Sequence, residues 1–491
     1  MFLGLAARNH LRTLRDKVNL SKTLFFIFIF AVAASAQDNL PVIKSNVGVI
    51  SIQDGDVLKK GEWSLAPEAK PDVYEAALID GKPHRVTFIT DVDQITFDVE
   101  EGKKYDFIVR FGDKDCYTQI VGTRWIPAAR FDTQYQKAHR GKISVSIPEA
   151  YELVNIAIAI TPTAIANKNL VYQNSEYYKA VREWFDKYAD HPLIAALETE
   201  LKRDQNRYFT LKMNGNAFVF DANGKLARSK VFDRTGFNGE RSNSLLPYFD
   251  LLKDFAVATK FRDFFKQNKK TYDEQIAFYR QTADLTAMKK WLDRNFPTSN
   301  DYNFYNIVFS PLVAYNQSVT WLEDGGFKEL QPHVNFPYAA DLKRSGPEFS
   351  LSPKSEIIFR GNIVFTEMNH GYINPEADKY AERIVKAVSN RDIWVEKRMG
   401  GGYYPGIAAF NEYMNWALVN LRAADIAPKQ DQQKMIDAVE RMMVKSRGFP
   451  KFAEFDRFLI EIYVNRKKGQ TLADLYPQIV EWFEKNNVPA S

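Results

Sequence analysis

"IVFTEMNHGYINPEADKY", Ile363 to Tyr380, is the stretch on which the reading of this chain turns. Glu367 and His370 stand three positions apart inside an apolar run. On a helix that spacing brings both side chains to one face. The position one turn before His370 is Thr366.

Working outward, "PGIAAFNEYMNWALVNLRAAD" (Pro405 to Asp425) has the pattern of a helix. Pro405 suits its first position, and Glu412 sits among packing residues Phe410, Met414, Ala417 and Leu418. Before it, "RMGGGYYPG" has three consecutive glycines followed by Tyr403 and Tyr404. Upstream, "NFYNIVFSPLVAYNQSVTWL" reads as two sheet strands, and "LQPHVNFP" reads as a loop carrying His333.

The N-terminal part has a different texture. Basic Arg8, Arg12, Arg15, Lys17 and Lys22 precede the apolar "LFFIFIFAVA", Leu24 to Ala33, and then "ASAQ". This is the three-part pattern of a cleaved secretory signal over residues 1–36, with the cut before Gln37. Ten apolar residues are short for a membrane span, so no stable span is expected after signal removal. The expected location is exported: periplasmic, cell-surface or extracellular. Much of the net charge of +5 belongs to this leader, and the aromatics are not interleaved with a basic run, so a nucleic-acid partner is not expected.

The chain of 491 residues is long enough for two or three domains, and 45% hydrophobic residues supply their cores. Its single cysteine, Cys116, allows no internal disulfide and reads as a packed strand residue. Residues 37–135 alternate at period two, as in "KYDFIVRF", with turns at Asp80-Gly81, Glu101-Gly102 and Gly112-Asp113. They predict an antiparallel β-sandwich. From 141 to 491, strands are mixed with helical patterns such as "SEYYKAVREWFDKYADHP", and "AFVFDANGKLARSKVF" reads as a hairpin around Asn223-Gly224. The fold class is therefore α+β, a sandwich followed by a mixed domain with a helical C-terminal half.

Metal-assisted hydrolysis of an amide needs a cation on three protein groups with one place open, and a carboxylate to take the proton from the bound water. The compact arrangement is H-E-x-x-H on one helix with a third ligand from a later helix. Here Glu367 takes the place of the base, His370 that of the second histidine and Glu412 that of the later carboxylate; Thr366 occupies the first histidine's place.

"TEMNHGYINPEADKY" and "FNEYMNWAL" resemble the corresponding segments of exported bacterial zincin-like domains, most without an assigned activity. The resemblance implies a gluzincin-type metallopeptidase fold over most of the mature chain. It further implies zinc on His370 and Glu412, Glu367 as general base, and a peptide or protein substrate. Three repairs for Thr366 stay open: His333 as the missing imidazole, water in its place, or Glu367 as a ligand. Asn369 is a weaker donor than any of these. Tyr403 or Tyr404 would face the oxyanion, and a strand of "NFYNIVFSPLVAYNQSV" would pair with an extended substrate. The alternative is a non-catalytic exported binding protein that keeps a degenerate metallopeptidase fold. A third reading is an adhesion protein acting through the sandwich. The sequence specifies no oligomeric state.

Overall fold

Period-two alternation between residues 42 and 125 becomes strands β1 (Val42–Ser45), β2 (Val49–Asp54), β3 (Val57–Ser64), β4 (Asp72–Ile79), β5 (His84–Ile89), β6 (Gln94–Val99), β7 (Lys104–Phe111) and β8 (Lys114–Trp125). The computed structural model describes residues 40–488 except 70, 238–239, 316, 347–348 and 398–405. The expected signal segment over residues 1–36 lies outside the described residues, as do Tyr403 and Tyr404.

The sheet ordered β3-β2-β5-β6 is antiparallel throughout. The sheet ordered β1-β7-β8-β4 has an antiparallel hairpin at its centre and parallel strands at both edges. Gly112, with φ +60°, opens the tight turn of that hairpin. Alternation reports which face a strand buries and not the direction of its neighbour, so the parallel edges were invisible in the sequence. The inner faces share one core, where Phe88 of β5 meets Phe107 of β7 edge-on at 4.9 Å between ring centroids. Cys116 lies buried in this core opposite Val109, and burial pushes its thiol pKa up.

One compact unit ends at Pro127 and a second begins at Ala128. The second holds a four-stranded sheet ordered β13-β14-β12-β9, from β9 (Lys142–Ser146), β12 (Phe304–Ser310), β13 (Ser318–Asp324) and β14 (Phe327–Asn335). The expected hairpin around Asn223-Gly224 is present as β10 (Phe218–Phe220) and β11 (Leu226–Arg228). Helices surround the sheet and make up the C-terminal part, which gives the α+β class read from the sequence.

Two local expectations are corrected. "LQPHVNFP" is no loop: Gln331 to Asn335 belong to β14, inside the sheet. Pro332 has no N–H to give, and the β14 ladder to β12 accordingly lacks pairs at 306–307 while the pairing with β13 continues. The expected substrate-pairing strand is not at an edge. β12 is hydrogen-bonded on both sides, to β14 and β9, so it has no edge to offer; the edge strands are β9 and β13, and of these only β13 overlaps the quoted segment, at Ser318 and Val319.

Alternation along β14 gives the sheet two different buried faces. Glu329, Gln331, His333 and Asn335 project to one side, where Tyr151 of the helix Glu149–Ala159 lies 5.6 Å from the His333 ring. Leu330 and Val334 project to the other side, against the helix Asn362–Asp378. Gly371 of that helix lies close against β14, since a Cβ there would sit 3.2 Å from Leu330 Cδ2. Pro375 lies inside the same helix, which continues to Asp378. The helix Gly406–Ile426 packs alongside, bridged by the Asn369 amide donating to the Asn415 carbonyl at 3.1 Å.

Candidate functional site

These two helices carry the motif residues into the interior. Thr366, Glu367, Asn369, His370 and Glu412 are all buried. The Thr366 hydroxyl donates back to the Ile363 carbonyl at 2.7 Å, satisfying itself within its own helix. His370 has both ring nitrogens engaged. The Asn415 amide donates to Nε2 at 2.9 Å, which leaves the proton on Nδ1, directed to Asn374 Oδ1 at 3.1 Å. Burial pushes this imidazole's pKa down, with Glu412 opposing, so the ring is neutral.

Glu412 is held by a charge. Its Oε1 accepts from Trp416 Nε1 at 2.9 Å and forms an ion pair with Arg447, whose guanidinium lies 5.2 Å from the Trp416 ring. Oε2 of Glu412 and Oε2 of Glu367 accept no hydrogen bond from the described residues. Burial, reinforced by the charge of Glu412, pushes the Glu367 pKa up to about 8, against the pull of Arg447 and Lys212. Lys212, in the helix Arg207–Asn214, is itself buried, and that burial pushes it down to about 7.

Glu367, His370 and Glu412 therefore interact in one buried cluster. His333 joins it only electrostatically through Lys212; its Nε2 donates to Gln331 Oε1 at 3.0 Å, and burial drives its pKa well down. Asn369 serves as a hydrogen-bonding neighbour between the helices.

Zinc held by this set would need three donors with open lone pairs. Instead, the Nε2 lone pair of His370 is occupied by an amide, and a guanidinium sits on Glu412. No group of three His, Cys, Asp or Glu side chains that could hold a metal ion occurs among the described residues. The donor set does not fit zinc.

A cleft of about 450 Å³ opens beside the cluster. Arg447 and Trp416, the two partners of Glu412, form part of its wall together with Ile363. The cleft also takes in Gln317, Asn335, Asp341 and Arg360.

Residues 145–482 match the family described as a domain of unknown function, DUF4932. The chain belongs to the DUF4932 family. The Glu367 helix, the Glu412 helix, His333, Arg447 and the cleft all fall inside the DUF4932 region, and the N-terminal sandwich falls outside it. Searches of curated proteins and of solved structures give no match.

Sequence reasoning missed three residues of the DUF4932 cluster. Asn415 was accessible to it, lying one helical turn after Glu412. Lys212 leaves a weak trace as a lone lysine among Tyr208, Phe209, Leu211 and Met213. Arg447 follows the π-helical turn Met442–Ser446, and no local pattern ties it to a glutamate 35 residues earlier.

A second buried acid has a consequence for the pH dependence of stability. Burial pushes Glu152 up to about 7, partly offset by the Ser310 and Tyr177 hydroxyls, the latter at 2.7 Å. Between its ordinary value of 4.5 and about 7, the folded protein keeps a proton that the unfolded chain has lost. This contribution therefore falls as pH rises through that window. Glu152→Gln is expected to melt near the wild type at pH 5 and to be more stable at pH 8, by up to about 3 kcal/mol. Thermal denaturation of both proteins at both pH values checks the crossover.

Proposed function

We propose that this DUF4932 protein is an exported binding protein that keeps a zincin-like helix pair and cleft without the metal. The observation that carries the reading is the Arg447–Glu412 ion pair: a protein cation stands on the carboxylate that would hold zinc. Asn415 on His370 Nε2 and Thr366 bonded to its own helix support it. The leader pattern over residues 1–36 supports export. The cleft, partly walled by Arg447 and Trp416, is the binding site in this reading.

Elemental analysis after zinc-replete purification tests it. The expected result is no stoichiometric zinc in the wild type or in Thr366→His alone. Zinc uptake is expected only when Thr366→His is combined with Arg447→Met, which frees Glu412 as well as supplying the imidazole.

A zinc-dependent peptidase is the second reading, favoured by the gathering of Glu367, His370 and Glu412 into one cluster. Metal binding would require Arg447 to leave Glu412 and Asn415 to leave His370. One zinc per wild-type chain, lost together with peptide hydrolysis in Glu412→Ala, would establish it over the binding protein.

A further inference from the structure

The cleft's lining is specific about charge. Gln317 and Asn335 are 2% and 4% exposed, and Gln317 Oε1 and Asn335 Oδ1 accept no hydrogen bond from the described residues. The Gln317 amide nitrogen donates to the Ala314 carbonyl at 2.9 Å, which fixes its oxygen as the remaining acceptor. Asp341 adds a carboxylate, oriented by the Tyr315 hydroxyl at 3.1 Å. Two buried acceptors and a carboxylate belong to the lining of one cleft, and an ammonium has three N–H bonds to give to acceptors of this kind.

The same cleft holds two guanidinium groups. Arg447 is balanced by Glu412. Arg360 donates to the Pro337 carbonyl at 2.8 Å, pairs with Glu356 at 3.5 Å and lies 4.3 Å from the Phe278 ring; burial pushes the Asp341 pKa up to about 6, with Tyr172 and Arg360 opposing. Guanidinium groups held this way are suited to a carboxylate. Leu342, Phe359, Ile363, Val439 and Met442 supply apolar wall between the polar groups. Asp341 offers a negative group and Arg360 and Arg447 positive ones, so the lining suits a ligand that carries separate positive and negative ends.

We infer that the cleft binds a short apolar peptide with both ends free, its ammonium on Gln317, Asn335 and Asp341 and its carboxylate on Arg360. The inference rests on the reading of the cleft as a binding site and names what occupies it. A volume of about 450 Å³ lies within the range of small-ligand sites.

The test uses the full mature chain and its binding heat by calorimetry, with the total tryptophan fluorescence, to which Trp416 in the cleft wall contributes, as a second readout. Leucyl-leucine, its N-acetyl form and its C-terminal amide are titrated in parallel. Leucyl-leucine is expected to bind, and blocking either end is expected to weaken binding by about tenfold or more, equivalent to ~1.4 kcal/mol. Asp341→Asn should erase the preference for the free amine, and Arg360→Met the preference for the free carboxylate. Equal binding of the free and blocked forms overturns the inference, and so does the absence of binding by all three. The probe series is read on the wild type, so the outcome does not depend on either variant folding. Zinc content is measured on the same preparation. Failure of the dipeptide with no zinc present sinks this inference alone, whereas stoichiometric zinc with cleavage of the dipeptide sinks the binding-protein reading.

Discussion

Arg447→Leu is expected to destabilise the DUF4932 region by about 3–5 kcal/mol, because it leaves a carboxylate in the interior without its partner. Glu412 is 1% exposed, and its Oε1 relies on Arg447 and Trp416. The cost arises from the stranded charge more than from the lost attraction, and this gives the prediction a second arm. Glu412→Gln/Arg447→Leu removes both charges, and it is expected to recover most of the lost stability. Urea unfolding of the wild type, the single variant and the double variant gives the three midpoints. A double variant no more stable than Arg447→Leu would mean that packing around Trp416, and not charge, accounts for the loss.

The second large effect is expected in the N-terminal sandwich. Phe88 is fully buried, and its ring meets Tyr74 at 5.5 Å, Trp63 at 5.9 Å and Phe107 at 4.9 Å, tying one sheet to the other. Phe88→Ala removes the ring from a core that is small to begin with, at a cost of about 3–5 kcal/mol. The two units have separate hydrophobic cores. Calorimetry should therefore show one transition moving to lower temperature while the transition of the DUF4932 region stays in place. A uniform shift of all unfolding would show that the two units unfold together.

The fold was legible wherever periodicity carried it. "KYDFIVRF" became β7, "AFVFDANGKLARSKVF" became the β10–β11 hairpin, and "SEYYKAVREWFDKYADHP" became the helix Glu176–Phe185 with Tyr177, Val181 and Phe185 buried. What failed was long-range or counter to local preference. Pro332 marked its surroundings as a loop because proline disfavours inner strands; the sheet accommodates it by leaving out ladder pairs, which depends on a partner strand more than 20 residues away. The site divides in the same way. Glu367, His370 and Glu412 were readable because helical spacing and a second helix bring them together. Arg447 and Lys212 were not, because a buried cation is placed by tertiary packing and leaves no periodic signature.

The ion pair between Arg447 and Glu412 also constrains the order in which substitutions can accumulate in this lineage. A histidine at 366 gains nothing while the guanidinium stays, and losing the guanidinium first exposes the chain to the cost of an unpaired buried acid. In the binding-protein reading proposed above, each step alone is neutral or harmful, and only the pair opens a route to a coordination site. In that reading, substitutions at apolar wall positions of the cleft such as Val439 avoid this cost, whereas a change at Arg447 alone meets it in full.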